Sequence, residues 1–207
     1  MNVVKVGYGS TNYYVLAGDP EAMLLIDCGW PGTMGRLKRR LQEKGIELGH
    51  IRYLLVTHYH PDHAGAVEEL KRLGLRLIVP ENQVAGITFL NGWMKARPQY
   101  PYVDITLENN VNVRSAESRA FLGQLGLEGE IILTPGHSDD SVTLILDCGA
   151  AFTGDLPPPG IFGDPQHPAE ASWALIRAHH VHTVYPGHGP PGQIYPQIDK
   201  NRGLSTD

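Results

Sequence analysis

The chain has 207 residues, of which 42% are hydrophobic and 19% are charged, and its formal net charge is −5. This composition is typical of a globular protein with a sizeable core, and no apolar run reaches the length of a membrane span. Nucleic-acid binding needs clustered basic residues, and the densest basic run, at 36–40, is interpreted as the solvated face of a helix, so neither a nucleic-acid nor a membrane partner is expected.

Short β-like runs alternate with amphipathic helical patterns in the first half of the chain. The pattern predicts an opening group of strands at Val3–Val6, Tyr13–Leu16 and Met23–Ile26. Thr33 is the predicted N-cap of a helix that Gly45 ends. The next predicted elements are a strand, a helix and a strand at Ile51–Val56, Ala64–Leu73 and Leu75–Val79. Residues 80–110 show no clear period and are predicted to be irregular.

In the second half of the chain, Ser115 is the predicted N-cap of a helix over 115–125. Four further strands are predicted at Glu130–Leu133, Val142–Leu146, Ala151–Thr153 and Val181–Tyr185. A loop at 154–168 leads into a helix that begins at Pro168, and the tail from Pro190 is predicted to be a loop. No repeat or linker divides the chain, which predicts one α/β domain over residues 1–207.

The cellular compartment is predicted from the cysteines and the N-terminus. Cys28 and Cys148 each follow an apolar run, which predicts two buried, reduced thiols at strand ends rather than a disulfide framework. The first seven residues lack the layout of a signal peptide. We therefore expect a cytoplasmic protein, and the sequence leaves its oligomeric state open.

Candidate metal ligands lie where the predicted apolar strands end. The stretch after Ile51–Val56 contains four of them: His58, His60, Asp62 and His63. Later turns, in which Gly directly precedes the side chain, add His137, Asp155 and His188. Gly allows a sharp turn, and the ends of several strands can meet at one edge of a sheet assembly. The sequence therefore predicts a single site.

The number and type of these side chains indicate two metal ions. Imidazole and carboxylate are ligands of zinc, iron and manganese, and a structural zinc takes only four of them. Seven ligands suit two divalent ions with a shared carboxylate, and Asp155 is the acidic residue that stands alone in its turn. Zinc is the expected metal, with iron and manganese as alternatives.

The motif His58-Tyr59-His60-Pro61-Asp62-His63, followed by Pro-Gly-His, Gly-Asp and Pro-Gly-His, resembles the signature of the metallo-β-lactamase fold superfamily of metal-dependent hydrolases. The resemblance covers about residues 2–189 and implies a four-layer αββα sandwich with the site at one edge. It implies three ligands for the first metal: His58, His60 and His137. It implies three for the second, with Asp155 as the bridge: Asp62, His63 and His188.

Departures from the family pattern narrow the branch. True β-lactamases of this fold generally lack the bridging carboxylate, so Asp155 argues against a dedicated antibiotic hydrolase. Thioesterases of the glyoxalase II type share all seven ligands and carry a helical C-terminal domain that grips glutathione. This chain stops about nineteen residues after His188, so we expect a glyoxalase II-like or lactonase-like protein without that domain.

The resemblance implies hydrolysis of a small-molecule ester, thioester or lactone by a hydroxide that bridges the metals. Two cations lower the pKa of a bound water to about 7 and polarise the substrate oxygen. Asp62 is the predicted catalytic residue, which would accept a hydrogen bond from the hydroxide and pass its proton to the leaving group. Two alternatives stay open, a phosphodiesterase or nuclease on the same site and a non-hydrolytic iron-binding oxidoreductase.

Substrate contacts are predicted in two loops, at 86–102 and 156–167. Their apolar side chains are candidates for an acyl pocket: Trp93, Met94, Tyr100, Tyr102, Ile161 and Phe162. The segment 138–141, Ser-Asp-Asp-Ser, is interpreted as support for His137, with an acidic rim that selects charged substrates as the alternative. Tyr59 is predicted to point away from the metals.

Overall fold

The computed structural model describes residues 2–193, which form two β-sheets with helices on their outer faces. The first sheet has six strands in chain order: β1 (Asn2–Lys5), β2 (Tyr14–Ala17), β3 (Met23–Ile26), β4 (Ile51–Leu55), β5 (Arg76–Pro80) and β6 (Val111–Val113). Strands β1 to β3 are antiparallel, and β3 to β6 are parallel. The parallel connections run through four helices: α1 (Met34–Glu43), α2 (Pro61–Ala64), α3 (Val67–Arg72) and α4 (Val84–Lys95).

The second sheet has the strand order β11-β10-β9-β8-β7. Its strands are β7 (Gly129–Leu133), β8 (Val142–Leu146), β9 (Ala150–Gly154), β10 (Thr183–Pro186) and β11 (Gly192–Gln193). Helix α5 (Ser115–Gly123) links the two sheets, and α6 (Pro168–Ala178) makes the crossover between the parallel strands β9 and β10. The predicted loop from Pro190 is described only as far as Gln193, and its remainder lies outside the described residues.

Alternating side chains divide the core into layers, which confirms the predicted α/β, αββα arrangement. In β4, Leu55 packs between the sheets, whereas Leu54 packs under the helices of the first sheet. In β9, Phe152 faces the first sheet, whereas Ala151 packs with Trp173 of α6. This period of two is what a strand that is buried on both faces requires. No helix within residues 2–193 is long and apolar enough to cross a membrane.

Several local predictions were wrong. The segment predicted to be irregular contains the helix α4, whose buried side chains Ile87, Leu90 and Met94 recur at helical spacing. The predicted helix over 64–73 is shorter, at 67–72 in α3, and Ala64 is instead the last residue of the separate helix α2. Thr33 does occupy the predicted N-cap position of α1, but its hydroxyl donates to the carbonyl of Trp30 at 2.6 Å and makes no capping bond.

Two further corrections concern Ser115 and Cys148. Ser115 is the first residue of α5, its side chain makes no capping bond, and Arg114 occupies the N-cap position. Cys28 is buried as predicted, but Cys148 is exposed in the turn between β8 and β9. An apolar run before a cysteine predicts a strand, but it does not distinguish the last residue of that strand from the exposed turn that follows.

Candidate metal centre

The seven predicted ligands meet where the ends of four strands come together. His58 follows β4, and His137, Asp155 and His188 follow β7, β9 and β10. Backbone hydrogen bonds join these ends, from Val142 N to Thr57 O at 2.9 Å and from Gly187 N to Gly154 O at 2.7 Å.

The three remaining candidates lie on the loop and short helix that follow β4. His60 precedes α2, while Asp62 and His63 lie within its single turn. Pro61 at the start of α2 supplies a φ angle that suits a helix and needs no hydrogen bond at its nitrogen. The short helix therefore brings Asp62 and His63 to His188, while His63 also lies next to His58, with ring centroids 4.2 Å apart.

The first group of side chains consists of His58, His60 and His137, whose ligand atoms all lie within 4.8 Å of one another. His60 Nδ1 and His137 Nε2 are 2.9 Å apart. Burial, followed by the neighbouring histidines, holds the pKa of His58 well below its ordinary value. Burial also lowers the pKa of His137. Both imidazoles are therefore biased toward the neutral form, which is the form that binds a metal.

The second group consists of Asp62, His63 and His188, and its ligand atoms also lie within 4.8 Å of one another. Asp62 Oδ2 is 3.2 Å from His188 Nε2 and 3.5 Å from His63 Nε2. Thr11 Oγ1 donates a hydrogen bond to the same oxygen of Asp62 at 3.1 Å. The same carboxylate oxygen thus contacts the Thr11 hydroxyl and two imidazoles.

Asp155 lies between the two groups. Its Oδ2 is 3.7 Å from His137 Nε2 and 3.9 Å from His58 Nε2, both in the first group. The same oxygen is 3.2 Å from His188 Nε2, and Oδ1 is 3.3 Å from His63 Nε2, both in the second group. Burial opposes ionisation of Asp155, but the surrounding histidines outweigh it and lower the carboxyl pKa. An ionised carboxylate in contact with both groups can bridge two cations.

The inward-facing atoms fit bound cations. His58 Nε2, His63 Nε2 and Asp155 Oδ1 are buried and have no hydrogen-bond partner among the described residues. Buried polar atoms without a partner are rare, and each one requires a physical explanation. Neutral imidazole nitrogens and a carboxylate oxygen that face one space are the donor set of a divalent zinc, iron or manganese ion.

The outward-facing nitrogens of three histidines are held by other residues. His63 Nδ1 lies 2.8 Å from Asp27 Oδ2, His58 Nδ1 lies 3.2 Å from Thr57 Oγ1, and His188 Nδ1 lies 2.9 Å from the carbonyl of Ser10. Asp27 and the Ser10 carbonyl can only accept, so the Nδ1–H groups of His63 and His188 donate, and in the neutral form of each ring Nε2 carries the free lone pair. These contacts orient the rings toward the metal space.

Sequence reasoning missed Asp27, although the sequence carries a signal for it. Asp27 directly follows β3, the same kind of position that identified the other candidates, and its φ of 58° marks a sharp turn. Burial lowers the pKa of His63, but Asp27 and Asp155 together outweigh it and raise the pKa to about 10. The raised pKa means that Nε2 of His63 carries a proton in the metal-free protein near neutral pH. A divalent cation at Nε2 would replace this proton.

Two clefts border the ligand groups. The larger has a volume of about 500 Å³ and lies between His60, His137 and the first turns of α4. The smaller has a volume of about 300 Å³ and is lined by His137, Asp155, His188 and residues of the loop after β9. Both lie within reach of the metal space, so a substrate has two approaches to it.

The predicted apolar pocket was assigned to the wrong side chains. Met94 is buried in the core, Trp93 stacks under the guanidinium of Arg97, and the hydroxyl of Tyr102 donates to Asn91. None of the six predicted apolar side chains, all among the described residues, lines either cleft. Phe89 of α4 lines the larger cleft instead. Phe89 lies on the exposed face of α4, opposite the buried Ile87, Leu90 and Met94, so only the helix shows which side chains face the cleft.

The segment 138–141 accepts a backbone N–H as predicted, but among the described residues its hydrogen bonds support the ligand loop at Tyr59 and not the ring of His137. Asp140 Oδ2 accepts a hydrogen bond from the backbone N–H of Tyr59 at 2.6 Å, and Ser138 Oγ lies 2.8 Å from Ser141 Oγ. Asp139 is exposed at the rim of the larger cleft, so the acidic-rim interpretation remains open for this residue. The ring of Tyr59 lies in the core under the helices, away from the ligand groups, as predicted.

The chain belongs to the metallo-beta-lactamase superfamily, whose family model matches residues 6–188. A metallo-beta-lactamase family protein from Thermus thermophilus has the same fold, with a TM-score of 0.73 at 21% identity over 93% of this chain and 74% of its own. The FEZ-1 metallo-beta-lactamase from Legionella gormanii has a TM-score of 0.68 at 20% identity, over 90% of this chain and 76% of its own. These similarities concern the fold.

Curated relatives are also similar in sequence. An atrochrysone carboxyl ACP thioesterase from Emericella nidulans is 30% identical over 86% of this chain and 51% of its own length. A probable metallo-hydrolase from Bacillus subtilis is 26% identical over 66% of this chain and 56% of its own length. The chain spans about half the length of the first curated relatives that it matches, at 49%, 56% and 51%.

Proposed function

We propose that this chain is a dinuclear metal-dependent hydrolase that acts on a small ester, thioester or lactone. The observation that carries the proposal is the pair of ligand groups joined by Asp155, with inward-facing nitrogen and oxygen atoms that lack partners among the described residues. The relative named as an acyl-carrier thioesterase supports an acyl substrate.

The ligand assignment follows the two groups. His58, His60 and His137 would hold one ion, Asp62, His63 and His188 the other, and Asp155 would contact both. Zinc is the metal we propose, and iron and manganese share the same donor chemistry. When bound, two divalent ions generate a nucleophile from water near neutral pH and polarise the carbonyl that it attacks.

We assign proton transfer to Asp62. All of its contacts with Thr11, His63 and His188 involve Oδ2, which leaves Oδ1 as the atom that can take a proton and release it to a leaving group. A carboxylate fixed through one oxygen keeps the other in a constant position, which general acid–base catalysis requires.

The test combines metal analysis with turnover. We expect about two equivalents of metal per chain after expression with added metal, and metal-stimulated hydrolysis within a panel of esters, thioesters and lactones. Asp155→Ala should reduce both metal content and turnover. Asp62→Asn should reduce turnover by about 100-fold or more even at saturating metal, because Asn keeps an oxygen for the metal but cannot take the proton. Asp19→Asn, an exposed carboxylate in a surface turn, is the matched control.

Three results would contradict the proposal. One is a metal content below about one equivalent per chain after loading. Another is hydrolysis of bis(p-nitrophenyl) phosphate without any acyl hydrolysis, which would indicate a phosphodiesterase. The third is iron-dependent oxygen uptake without hydrolysis, which would indicate an oxidoreductase.

A further inference from the structure

We propose that the larger cleft selects substrates that are neutral or positively charged and carry an apolar group, with Phe89 and Asp139 as the residues that make the selection. This inference rests on the proposed hydrolase function, because it names the class of substrate that the same site would accept.

The cleft has a fixed wall beside the first ligand group. Its volume of about 500 Å³ suits a small molecule. Helix α4 approaches the segment 138–141 closely at Gly86, where an added Cβ would overlap the carboxylate of Asp140. Gln83 ties the same two segments together, because its buried amide nitrogen donates to the carbonyls of Val56 and Asp140 at 2.8 and 3.1 Å. The first turns of α4, which form this wall, are therefore fixed against both the segment 138–141 and the end of β4.

The wall offers an apolar surface. Phe89 is 64% exposed, although a phenyl ring is more stable in the core, and it lines the cleft together with Ala85 one turn earlier. The small side chain of Ala85 leaves space beside the ring. An aromatic face next to such a space can pack against a flat or branched apolar group.

The rim of the larger cleft carries the carboxylates of Asp139 and Asp140. No Lys or Arg lines either of the two clefts among the described residues. The carboxylate of Asp140 already accepts a hydrogen bond from the backbone N–H of Tyr59. Asp139, in contrast, is exposed and forms no ion pair with any residue in 2–193. At the rim, beyond the ligand groups, an anionic substituent would meet Asp139 with no Lys or Arg beside it. An ammonium substituent there is attracted by both Asp139 and the face of Phe89.

The experiment uses four aryl acetates: unsubstituted phenyl acetate and three that carry tert-butyl, trimethylammonio or carboxylate at the para position. The first two groups are nearly equal in shape, so they separate charge from size. Dividing each variant's kcat/KM by that of the unmodified enzyme cancels the intrinsic reactivity of each ester. The metal-loaded enzyme is used throughout.

Asp139→Asn should lower kcat/KM for the cationic ester relative to the neutral one by about threefold, and raise the relative value for the anionic ester by a similar factor. Both changes should shrink in about 0.5 M salt, because screening weakens interactions between exposed charges. Glu47→Gln is the matched control. Glu47 is exposed and precedes β4, so it lies at the opposite end of that strand from His58.

Phe89→Ala should lower kcat/KM for the tert-butyl ester relative to unsubstituted phenyl acetate by about fivefold, through the lost apolar contact. Val84→Ala is the matched control, because Val84 is exposed on the same helix and does not line the cleft. Relative rates that do not change in Asp139→Asn and Phe89→Ala would overturn the inference while leaving the hydrolase proposal intact.

A second measurement separates the two proposals if no ester is hydrolysed. Binding of 4-(trimethylammonio)benzyl alcohol and 4-tert-butylbenzyl alcohol to the metal-loaded protein is followed by NMR titration. Tighter binding of the cation that is lost in Asp139→Asn would support the cleft assignment and reject the proposed chemistry. The cleft assignment would also be overturned if the two alcohols bound with equal affinity to the unmodified protein and to Asp139→Asn. It would be overturned as well if neither alcohol bound at millimolar concentration.

Discussion

Asp27 connects the fold to the candidate metal centre, and replacing it with Asn gives a sharp test of the site. Its Oδ2 accepts from His63 Nδ1 at 2.8 Å, and its Oδ1 accepts from the backbone N–H of Thr57 at 2.7 Å. The φ of Asp27 is 58°, a left-handed conformation that Asn tolerates as well as Asp does. Asp27→Asn therefore removes one acceptor and one charge without adding backbone strain.

The magnitude follows from these contacts. Asn has only one acceptor oxygen, so its NH₂ group must face a donor on either His63 or Thr57. A buried donor without an acceptor costs about 1–3 kcal/mol, and a hydrogen bond to a charged group contributes about 1.5–3 kcal/mol. Because the two effects overlap, we expect Asp27→Asn to lower the free energy of unfolding by about 2–4 kcal/mol. The affinity for the metal at His63 should fall by about 10- to 100-fold.

The same pair predicts a pH dependence for protein stripped of metal. Asp27 and Asp155 outweigh burial and raise the folded-state pKa of His63 from 6.5 to about 10. The stabilisation from this raised pKa is complete below the unfolded-state pKa of 6.5 and is lost as the pH rises toward 10. Metal-free protein should therefore lose stability between about pH 7 and 9.5, and Asp27→Asn should flatten that slope.

The assay is urea unfolding across this pH range, together with competition against a chromophoric chelator for metal affinity. Asp104→Asn is the control, because it removes a carboxylate from an exposed pair with Lys95 at 3.0 Å and should cost less than about 1 kcal/mol. An Asp27→Asn variant that unfolds within about 0.5 kcal/mol of the unmodified protein and binds metal with unchanged affinity would refute this role of Asp27.

Three further predictions follow from the packing of the site and the core. An added Cβ at Gly187 would overlap Asp155 Oδ1, so elemental analysis should show a lower metal content in Gly187→Ala. A Cβ added at Gly35 would meet no atom within 4 Å, so Gly35→Ala should retain its metal. Removing metal with a chelator should lower the melting temperature by about 5–10 °C in calorimetry, if the free metal had been about 100-fold above its Kd; an unchanged melting temperature would count against bound metal. Phe152→Ala should cost about 3–5 kcal/mol in urea unfolding, because Phe152 is fully buried between the sheets, while Phe89→Ala should cost less than about 1 kcal/mol; equal costs would contradict the assigned layers.

Much of the fold was predictable because its strands are short, apolar and bounded by turns. The predicted strands at 23–26 and 142–146 match β3 and β8 at both ends. Helix α4 was missed because its exposed face carries Val84 and Phe89, so apolar residues occur all around it and obscure the helical period. Thr33 takes the predicted N-cap position, but its hydroxyl bonds to the Trp30 carbonyl instead of the helix, a partner that only the folded chain supplies. The cap assigned to Ser115 was wrong by one residue, because α5 begins at Ser115 itself.

The sequence by itself determined the family and the candidate ligands, because metal chemistry restricts the residue types and each ligand follows a recognisable strand. It also determined the alternation that separates the inner and outer faces of the sheets. Only the tertiary structure decided which nitrogens face inward, since this depends on contacts as distant in the chain as Asp27 with His63 and Ser10 with His188. It also placed Phe89 and Asp139 in one cleft, because the packing of α4 against the segment 138–141 is set by contacts between residues far apart in the chain.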